Sequence, residues 1–219
     1  MKILLRVLTV VLVASAAALA FTWAPDKPVG ELQARWAPAP ATFMRVAGMS
    51  VHIRDEGPRD DPMPIVLLHG TSASLHTWDG WTDSLSATRR VIRFDLPGFG
   101  LTGPSPTHEY HMQAYADFVV AVLDALSVNE VILGGNSLGG HIAWETGLAY
   151  PQRVSKLILV DAGGYPLEPA SMPIGFRIAL IPGLNRMMEV TLPRFMVEDS
   201  VRDVYGDPSL VTPELVDRY

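Results

Sequence analysis

The most constraining feature of the sequence is the pentapeptide Gly135-Asn136-Ser137-Leu138-Gly139. The apolar run before it, residues 130–133, predicts a buried strand, and residues 142–150 after it predict a helix. A G-x-S-x-G sequence between a strand and a helix is the context in which a nucleophile elbow forms. Its glycines let the two elements pass closely, and the strained turn holds the serine hydroxyl beside the unpaired N–H groups of the helix N-terminus. The pattern therefore predicts Ser137 as a nucleophile, with a chance occurrence of the pentapeptide as the alternative.

Length, charge and cysteine content narrow the class of protein. A chain of 219 residues can bury a substantial core, either as one large domain or as one domain with an insertion. The formal net charge of −6, without a basic cluster, argues against a nucleic-acid partner. Because the chain has no cysteine, disulfides, cysteine-ligated metals and thiol nucleophiles are excluded. The motifs imply no metal and no organic cofactor, and the expected partner is a small-molecule substrate.

The first 23 residues predict export from the cytoplasm. Lys2 and Arg6 precede an uncharged apolar stretch at 7–21, and Ala18-Leu19-Ala20 matches the small-x-small pattern of a signal-peptidase site. Residues 1–23 are either a cleaved signal peptide or a membrane anchor that tethers an exported catalytic domain, and a soluble core helix is a third interpretation. The expected location is therefore the cell envelope: membrane-anchored, or periplasmic or secreted after cleavage.

Strands alternate with helices along the middle of the chain. The predicted strands are 43–46 and 50–55, joined as a hairpin, followed by 65–68, 91–94 and 154–160; the predicted helices include 74–85 and 115–126. This alternation predicts an α/β fold, with a mostly parallel sheet, helices on both faces and an antiparallel hairpin at one edge. In such sheets the chemistry gathers at the carboxyl ends of the strands. Four polar residues fall at such ends: His69, Asp95, Ser137 and Asp161.

Three motifs, in this order, resemble those of the α/β-hydrolase superfamily: His69-Gly70, then Asp95-Leu96-Pro97-Gly98-Phe99-Gly100, then Gly135-Asn136-Ser137-Leu138-Gly139-Gly140. The resemblance covers about 43–164 and points to the esterase, C–C hydrolase and haloperoxidase-like branch. Epoxide hydrolases and haloalkane dehalogenases share this framework but place an aspartate at the nucleophile position. Ser137 therefore argues against both.

The resemblance implies a layout of domains. Residues 24–42, rich in Pro and Ala, are expected to be a linker with a short helix over 29–36. Residues 43–165 would form the N-terminal part of the α/β-hydrolase core, and 166–219 part of a helical lid. We expect the chain to be truncated at its C-terminus, because two further strand–helix units would follow the lid in this superfamily.

The resemblance also implies the parts of a catalytic site. With Ser137 as the nucleophile, the oxyanion hole would use the backbone N–H of Leu138 and that of Thr71. Four further residues would shape the site without reacting: His69, Gly70, Gly135 and Gly139.

A histidine base is the part of the pattern that the sequence does not supply. Members of the superfamily carry their triad in the order Ser, acid, His. The only histidine after Ser137 is His141, one helical turn further on, and we predict that it packs on the helix or walls the pocket. Four of the five earlier histidines are predicted on surface loops or helix starts: His52, His76, His108 and His111. Asp161 is a candidate alternative acid, with capping of the next turn as its structural role.

These observations predict a serine hydrolase that acts on an ester or a related acyl or C–C bond of a small apolar substrate. The apolar lid segments 174–181 and 187–197 would wall the pocket. We expect the acid and the histidine of the triad beyond residue 219, so the chain as given would be inactive. The alternatives are a cofactor-free haloperoxidase or perhydrolase, and a non-catalytic ligand-binding protein on the same fold.

Overall fold

The computed structural model describes residues 2–166, 177–178, 180–183, 185–186 and 190–219. The chain divides into two compact units. The larger unit is Pro28–Leu167, and the smaller unit combines Met1–Lys27 with Glu168–Tyr219.

The larger unit is built on a mixed sheet of β1 Thr42–Val46, β2 Met49–Glu56, β3 Ile65–Leu68, β4 Val91–Phe94, β5 Val131–Asn136 and β6 Val154–Val160. Their spatial order is β1-β2-β4-β3-β5-β6. β1 and β2 form the predicted hairpin, β2 pairs antiparallel with β4, and the other pairs are parallel. The predicted α/β architecture is therefore confirmed. Because β4 lies on one side of β3 and β5 on the other, the strand order reverses at β3, where sites form in sheets of this kind.

The helices of this unit are α2 Val29–Trp36, α3 Asp79–Leu85, α4 Met112–Ala125 and α5 Leu138–Ala149, and a 3₁₀ turn at Leu75–Trp78 precedes α3. All four residues of β3 are buried. Val66 and Leu68 belong to the core formed with α4 and α5, and Ile65 and Leu67 pack with Trp78 on the other face. Burial of each such side chain contributes about 1.5–3 kcal/mol, so both faces of the sheet are stabilised.

β5 and α5 are longer than their local patterns predict. Gly134, Gly135 and Asn136 continue β5 beyond 130–133 because they pair with the end of β6. α5 begins at Leu138, directly after the turn, and not at 142. Glycines carry no apolar signal, so the hydrophobic pattern misses the segment that forms the turn.

The smaller unit contains α1 Lys2–Phe21, α6 Arg194–Val204, a 3₁₀ turn at Pro208–Leu210 and α7 Pro213–Val216. Val201, Val211 and Val216 form a small core of their own. Residues 174–176, 179 and 187–189 of the two predicted lid segments lie outside the described residues. The lid and its boundaries stay a prediction.

α1 exposes apolar side chains along its length, including Leu12 at 72%. Among the described residues, however, no helix combines the length and the apolar character that crossing a membrane requires. The signal-peptide and membrane-anchor interpretations of 1–23 both stay predictions.

Candidate active site

Ser137 occupies the turn between β5 and α5. Its backbone has φ 51° and ψ −116°, a region that residues with a side chain rarely adopt. The residue is exposed, whereas Gly135 before it and Gly139 after it are buried. The turn thus stores local strain and presents the hydroxyl to solvent, as the motif predicts for a nucleophile elbow.

The glycines of the motif are required by the close approach of the strand to the helix. A Cβ placed on Gly135 would lie 2.2 Å from the carbonyl carbon and oxygen of Gly139. A Cβ on Gly139 would lie 2.3 Å from the carbonyl oxygen of Leu68 at the end of β3. These contacts are to backbone atoms, which no change of rotamer can move. Gly135 and Gly139 therefore shape the turn sterically.

The end of β6 holds the turn in place. The Ser137 N–H donates to the carbonyl oxygen of Val160 over 3.1 Å, and the Asn136 Nδ2 donates to the same oxygen over 3.2 Å. The Gly163 N–H donates to the Ser137 carbonyl oxygen over 2.9 Å. Contacts from a neighbouring strand thus stabilise a backbone conformation that is strained in isolation.

The loop after β3 lies beside the turn. Leu68 is opposite Gly135 in the β3–β5 register, and a Cβ on Gly70 would lie 3.2 Å from the Cβ of Ser137. Within the described residues, the backbone N–H groups of Thr71 and Leu138 donate no hydrogen bond to the protein. Thr71 is exposed and Leu138 is half-buried. Both predicted oxyanion donors are therefore available to a ligand.

Both ring nitrogens of His69 are engaged by the backbone. Nδ1 donates to the Gly70 carbonyl oxygen over 2.8 Å, and Nε2 accepts from the Leu96 N–H over 3.0 Å, which assigns the neutral Nδ1–H tautomer. Burial lowers the pKa of His69 despite the neighbouring Asp95 carboxylate. A neutral ring with no unused nitrogen fits a role in shaping the loop, and not in moving protons.

His141 and Asp161 are not brought to the Ser137 hydroxyl. The His141 ring stacks on Trp144 with centroids 4.9 Å apart, and its Nε2 lies 3.5 Å from Glu145 Oε1, so His141 packs on α5. Asp161 is exposed with φ 46°, and over the described ranges its carboxylate makes no hydrogen bond or ion pair. Within the described residues, Asp161 therefore makes neither a turn-capping hydrogen bond nor a contact that would orient a base.

The prediction that His52 lies on the surface is wrong. Its side chain is 1% exposed within β2, its Nδ1 lies 2.8 Å from Asp95 Oδ2, and Phe43 stacks on its ring. The physical reason is that strand pairing buries β2 on both faces near its centre. Of the other early histidines, His111 caps α4 by accepting from the Ala114 N–H, His108 is exposed, and His76 is half-buried in the 3₁₀ turn.

Asp95 is the residue whose role the sequence pattern does not indicate beyond its place at a strand end. Its Oδ1 accepts from the Leu75 N–H over 2.8 Å, and its Oδ2 accepts from the Leu101 N–H and from His52 Nδ1, each over 2.8 Å. Burial alone would raise the pKa of Asp95, but the hydrogen bonds from the His52 ring and from the Leu75 N–H hold it below its usual value. Across the described residues, no group of three or more His, Asp or Glu side chains is arranged to hold a metal ion.

Curated relatives with detectable sequence similarity include two named hydrolases or lipases. The chain is 30% identical over 175 residues to 2-hydroxymuconate semialdehyde hydrolase of Pseudomonas sp. (strain CF600), covering 78% of this chain and 56% of that protein. It is 39% identical over 113 residues to (lyso)-N-acylphosphatidylethanolamine lipase of Mus musculus, covering 50% of this chain and 33% of the lipase. The chain thus spans just over half of the length of the first relative and about a third of the length of the second.

Solved structures also resemble the chain. A meta-cleavage product hydrolase from Pseudomonas fluorescens IP01 superposes with a TM-score of 0.64 at 27% identity, covering 82% of this chain and 61% of that one. Cfl2 from Burkholderia cenocepacia superposes with a TM-score of 0.70 at 25% identity, covering 82% and 64%. The family model for the alpha/beta hydrolase fold matches residues 63–195, which is more than half of the sequence. The chain belongs to the α/β-hydrolase fold family.

Proposed function

We propose that this protein is a serine hydrolase in which Ser137 is the nucleophile. The observation that carries the proposal is the exposed hydroxyl at a left-handed turn, beside a loop whose Thr71 N–H makes no hydrogen bond within the described residues. A serine in such a turn, next to two unpaired backbone donors, is what acyl transfer requires.

In the proposed reaction the Ser137 Oγ adds to the carbonyl carbon of the substrate, and the C=O electron pair moves onto oxygen. The resulting oxyanion accepts hydrogen bonds from the N–H groups of Leu138 and Thr71. One such donor is typically worth about 3 kcal/mol of transition-state stabilisation. The hydroxyl proton passes to a general base, and collapse of the adduct expels the leaving group and forms an acyl-enzyme, which water then hydrolyses.

The proposed substrate is an ester, or a compound with a related acyl or C–C bond, with a small apolar body. Support comes from the names of the relatives, one a 2-hydroxymuconate semialdehyde hydrolase and one a lipase. The two names imply different substrates, and one fold can host several activities, so the fold alone does not determine the substrate.

The general base is proposed to come from outside the described residues. His69 has both nitrogens engaged, His141 stacks on Trp144, and His52 is buried against Asp95. Within the described residues, the Ser137 hydroxyl hydrogen-bonds to no histidine. We therefore expect the 219-residue chain alone to react poorly, and the full-length protein to be the active form.

Labelling with a fluorophosphonate probe tests the nucleophile. We expect the full-length protein to be labelled, Ser137→Ala to lose the label, and Ser127→Ala to keep it. Ser127 is a matched control because it is also exposed and also has a positive φ, 55°. Absence of label in the full-length protein would instead favour a non-catalytic ligand-binding protein.

We also propose that residues 1–23 direct export to the cell envelope. Lys2 and Arg6, the apolar stretch at 7–21 and the Ala18-Leu19-Ala20 sequence support the proposal. In a bacterial host the mature N-terminus is expected at Phe21, measured by intact mass. Ala20→Arg should block processing, and an unprocessed wild-type chain in the cytoplasmic fraction would contradict the proposal.

A further inference from the structure

The loop that carries Thr71 is held at both of its ends by the first two residues after β4. At its start, the Leu96 N–H donates to His69 Nε2 over 3.0 Å. At its end, the Leu75 N–H donates to Asp95 Oδ1 over 2.8 Å. Thr71 lies between these two points, so the position of its N–H depends on the β4 end.

The Asp95 carboxylate is buried and hydrogen-bonded at the end of β4. The residue is fully buried, and three donors from three separate segments reach it: His52 in β2, Leu75 and Leu101. A Cβ on Gly100 would lie 2.2 Å from Asp95 Oδ2, so a side chain at residue 100 would collide with the carboxylate. Hydrogen bonds to an ionised carboxylate are shorter and about twice as strong as those between neutral groups. A single charge thus joins the loops at 69–75 and 96–101 to β2.

His69 completes the connection. Its ring links the two loops by two hydrogen bonds. Nε2 accepts from the Leu96 N–H, and Nδ1 donates to the Gly70 carbonyl oxygen over 2.8 Å. Phe99 packs edge-on against the ring with centroids 5.6 Å apart. The peptide that joins Gly70 to Thr71 therefore has its carbonyl oxygen fixed, and the Thr71 N–H is part of that same peptide unit.

We infer that Asp95 and His69 are positioning residues that orient the Thr71 N–H toward the oxyanion. Neither side chain touches the substrate; both act through the backbone of the 69–75 loop. The inference rests on the proposed function, because it assigns a role to these residues in the Ser137 reaction. An oxyanion donor acts in the transition state more than in the ground state, so a misplaced donor lowers kcat and leaves KM nearly unchanged.

The first test compares Asp95→Asn with Asp61→Asn in the full-length protein. Asp61 is a matched control because its carboxylate is also buried and also accepts backbone N–H groups, those of Met63 and Arg90, before β3 and β4 begin. For hydrolysis of a short-chain p-nitrophenyl ester, we expect Asp95→Asn to lower kcat by about 10- to 100-fold with little change in KM. Asp61→Asn is expected to leave both constants within about two-fold. An unchanged kcat in a folded Asp95→Asn protein, or an equal loss in Asp61→Asn, would overturn the inference.

The second test uses His69 and remains informative if Asp95→Asn does not fold. The side chain of His69→Gln can still accept from the Leu96 N–H, whereas that of His69→Ala cannot. We expect kcat to fall in the order wild type, Gln, Ala, with amide hydrogen exchange over 69–75 rising in the same order and that over β5 unchanged. Equal kcat values for the three proteins would refute the positioning role. Failure of the proposed function would be recognised separately, because Ser137→Ala would then retain full turnover.

Discussion

The backbone N–H of Gly163 donates a hydrogen bond of 2.9 Å to the carbonyl oxygen of Ser137, and the His141 N–H reaches the same oxygen over 3.0 Å. The first bond comes from the loop after β6 and the second from α5, so two elements fix one carbonyl group. A residue at φ 51° keeps that conformation only when its surroundings over-determine it. The strained turn is therefore a property of the assembled sheet and helix, and not of the pentapeptide alone.

Gly139→Ala is expected to destabilise the protein by about 1–3 kcal/mol or more, because the new Cβ would meet the Leu68 carbonyl oxygen at 2.3 Å. Gly147→Ala, in the same helix, is the control. There the nearest atom to the new Cβ is 3.6 Å away, and replacing a helical glycine stabilises by roughly 0.5–1 kcal/mol. Urea unfolding of both variants measures the difference. Equal unfolding free energies for the two variants would show that α5 can move away from the end of β3 without loss of stability.

Thr71→Pro is expected to lower kcat by about 10²- to 10³-fold, because proline has no N–H to donate to the oxyanion. Thr71→Ala keeps the backbone donor and removes only an exposed side chain, so its kcat should stay close to that of the wild type. Steady-state ester hydrolysis by the full-length protein distinguishes the two. A Thr71→Pro variant that is folded and fully active would remove Thr71 from the oxyanion hole.

The stability that Asp79 contributes should disappear in acid. Burial alone would raise the pKa of Asp79, but hydrogen bonds from His76 and Arg93 and their charges lower it to about 2. Because the pKa is lower in the folded state, the stabilisation is present above the unfolded value near 4 and is lost as the pH falls toward 2.

Asp79→Asn is therefore expected to cost roughly 1–2 kcal/mol at pH 7, and clearly less at pH 3. Asp83→Asn is the control, since Asp83 lies on the same helix α3 and is exposed. Unfolding free energies at the two pH values check the expectation. A cost for Asp79→Asn that does not change with pH would mean that its charge is not what stabilises the protein.

Arg93→Leu is expected to cost about 3 kcal/mol, because it removes a buried cation from the carboxylates of Glu56 and Asp79. The Arg93 side chain is 2% exposed, its Nη2 lies 2.9 Å from Glu56 Oε2, and its Nη1 also bonds to Asp79. Arg54 contacts the same Glu56 but is 15% exposed, so Arg54→Leu should cost no more than about 1 kcal/mol. Thermal or urea unfolding of the two variants gives the comparison, and equal costs would contradict the role assigned to burial.

The fold was predictable where its signal is local. β3, β4 and β6 have the predicted bounds because each is a short run dominated by apolar residues between turn signals. The turn at Ser137 was predictable because the strand and the helix can approach so closely only with glycine at 135 and 139, and both lie within one five-residue motif. The end of β5 was not, since Gly134 and Gly135 carry no side chain whose pattern could be read.

The sequence by itself determined the α/β alternation, the strand ends at which polar residues collect, and the serine at the turn. Only the tertiary structure decided which of those polar residues meet. His52 and Asp95 are 43 positions apart, and nothing near either one predicts their contact. The order of the strands likewise places the loop after β3 beside the turn after β5. Local patterns report how a segment buries its own side chains, whereas hydrogen-bond partners are chosen by strand pairing across the whole sheet.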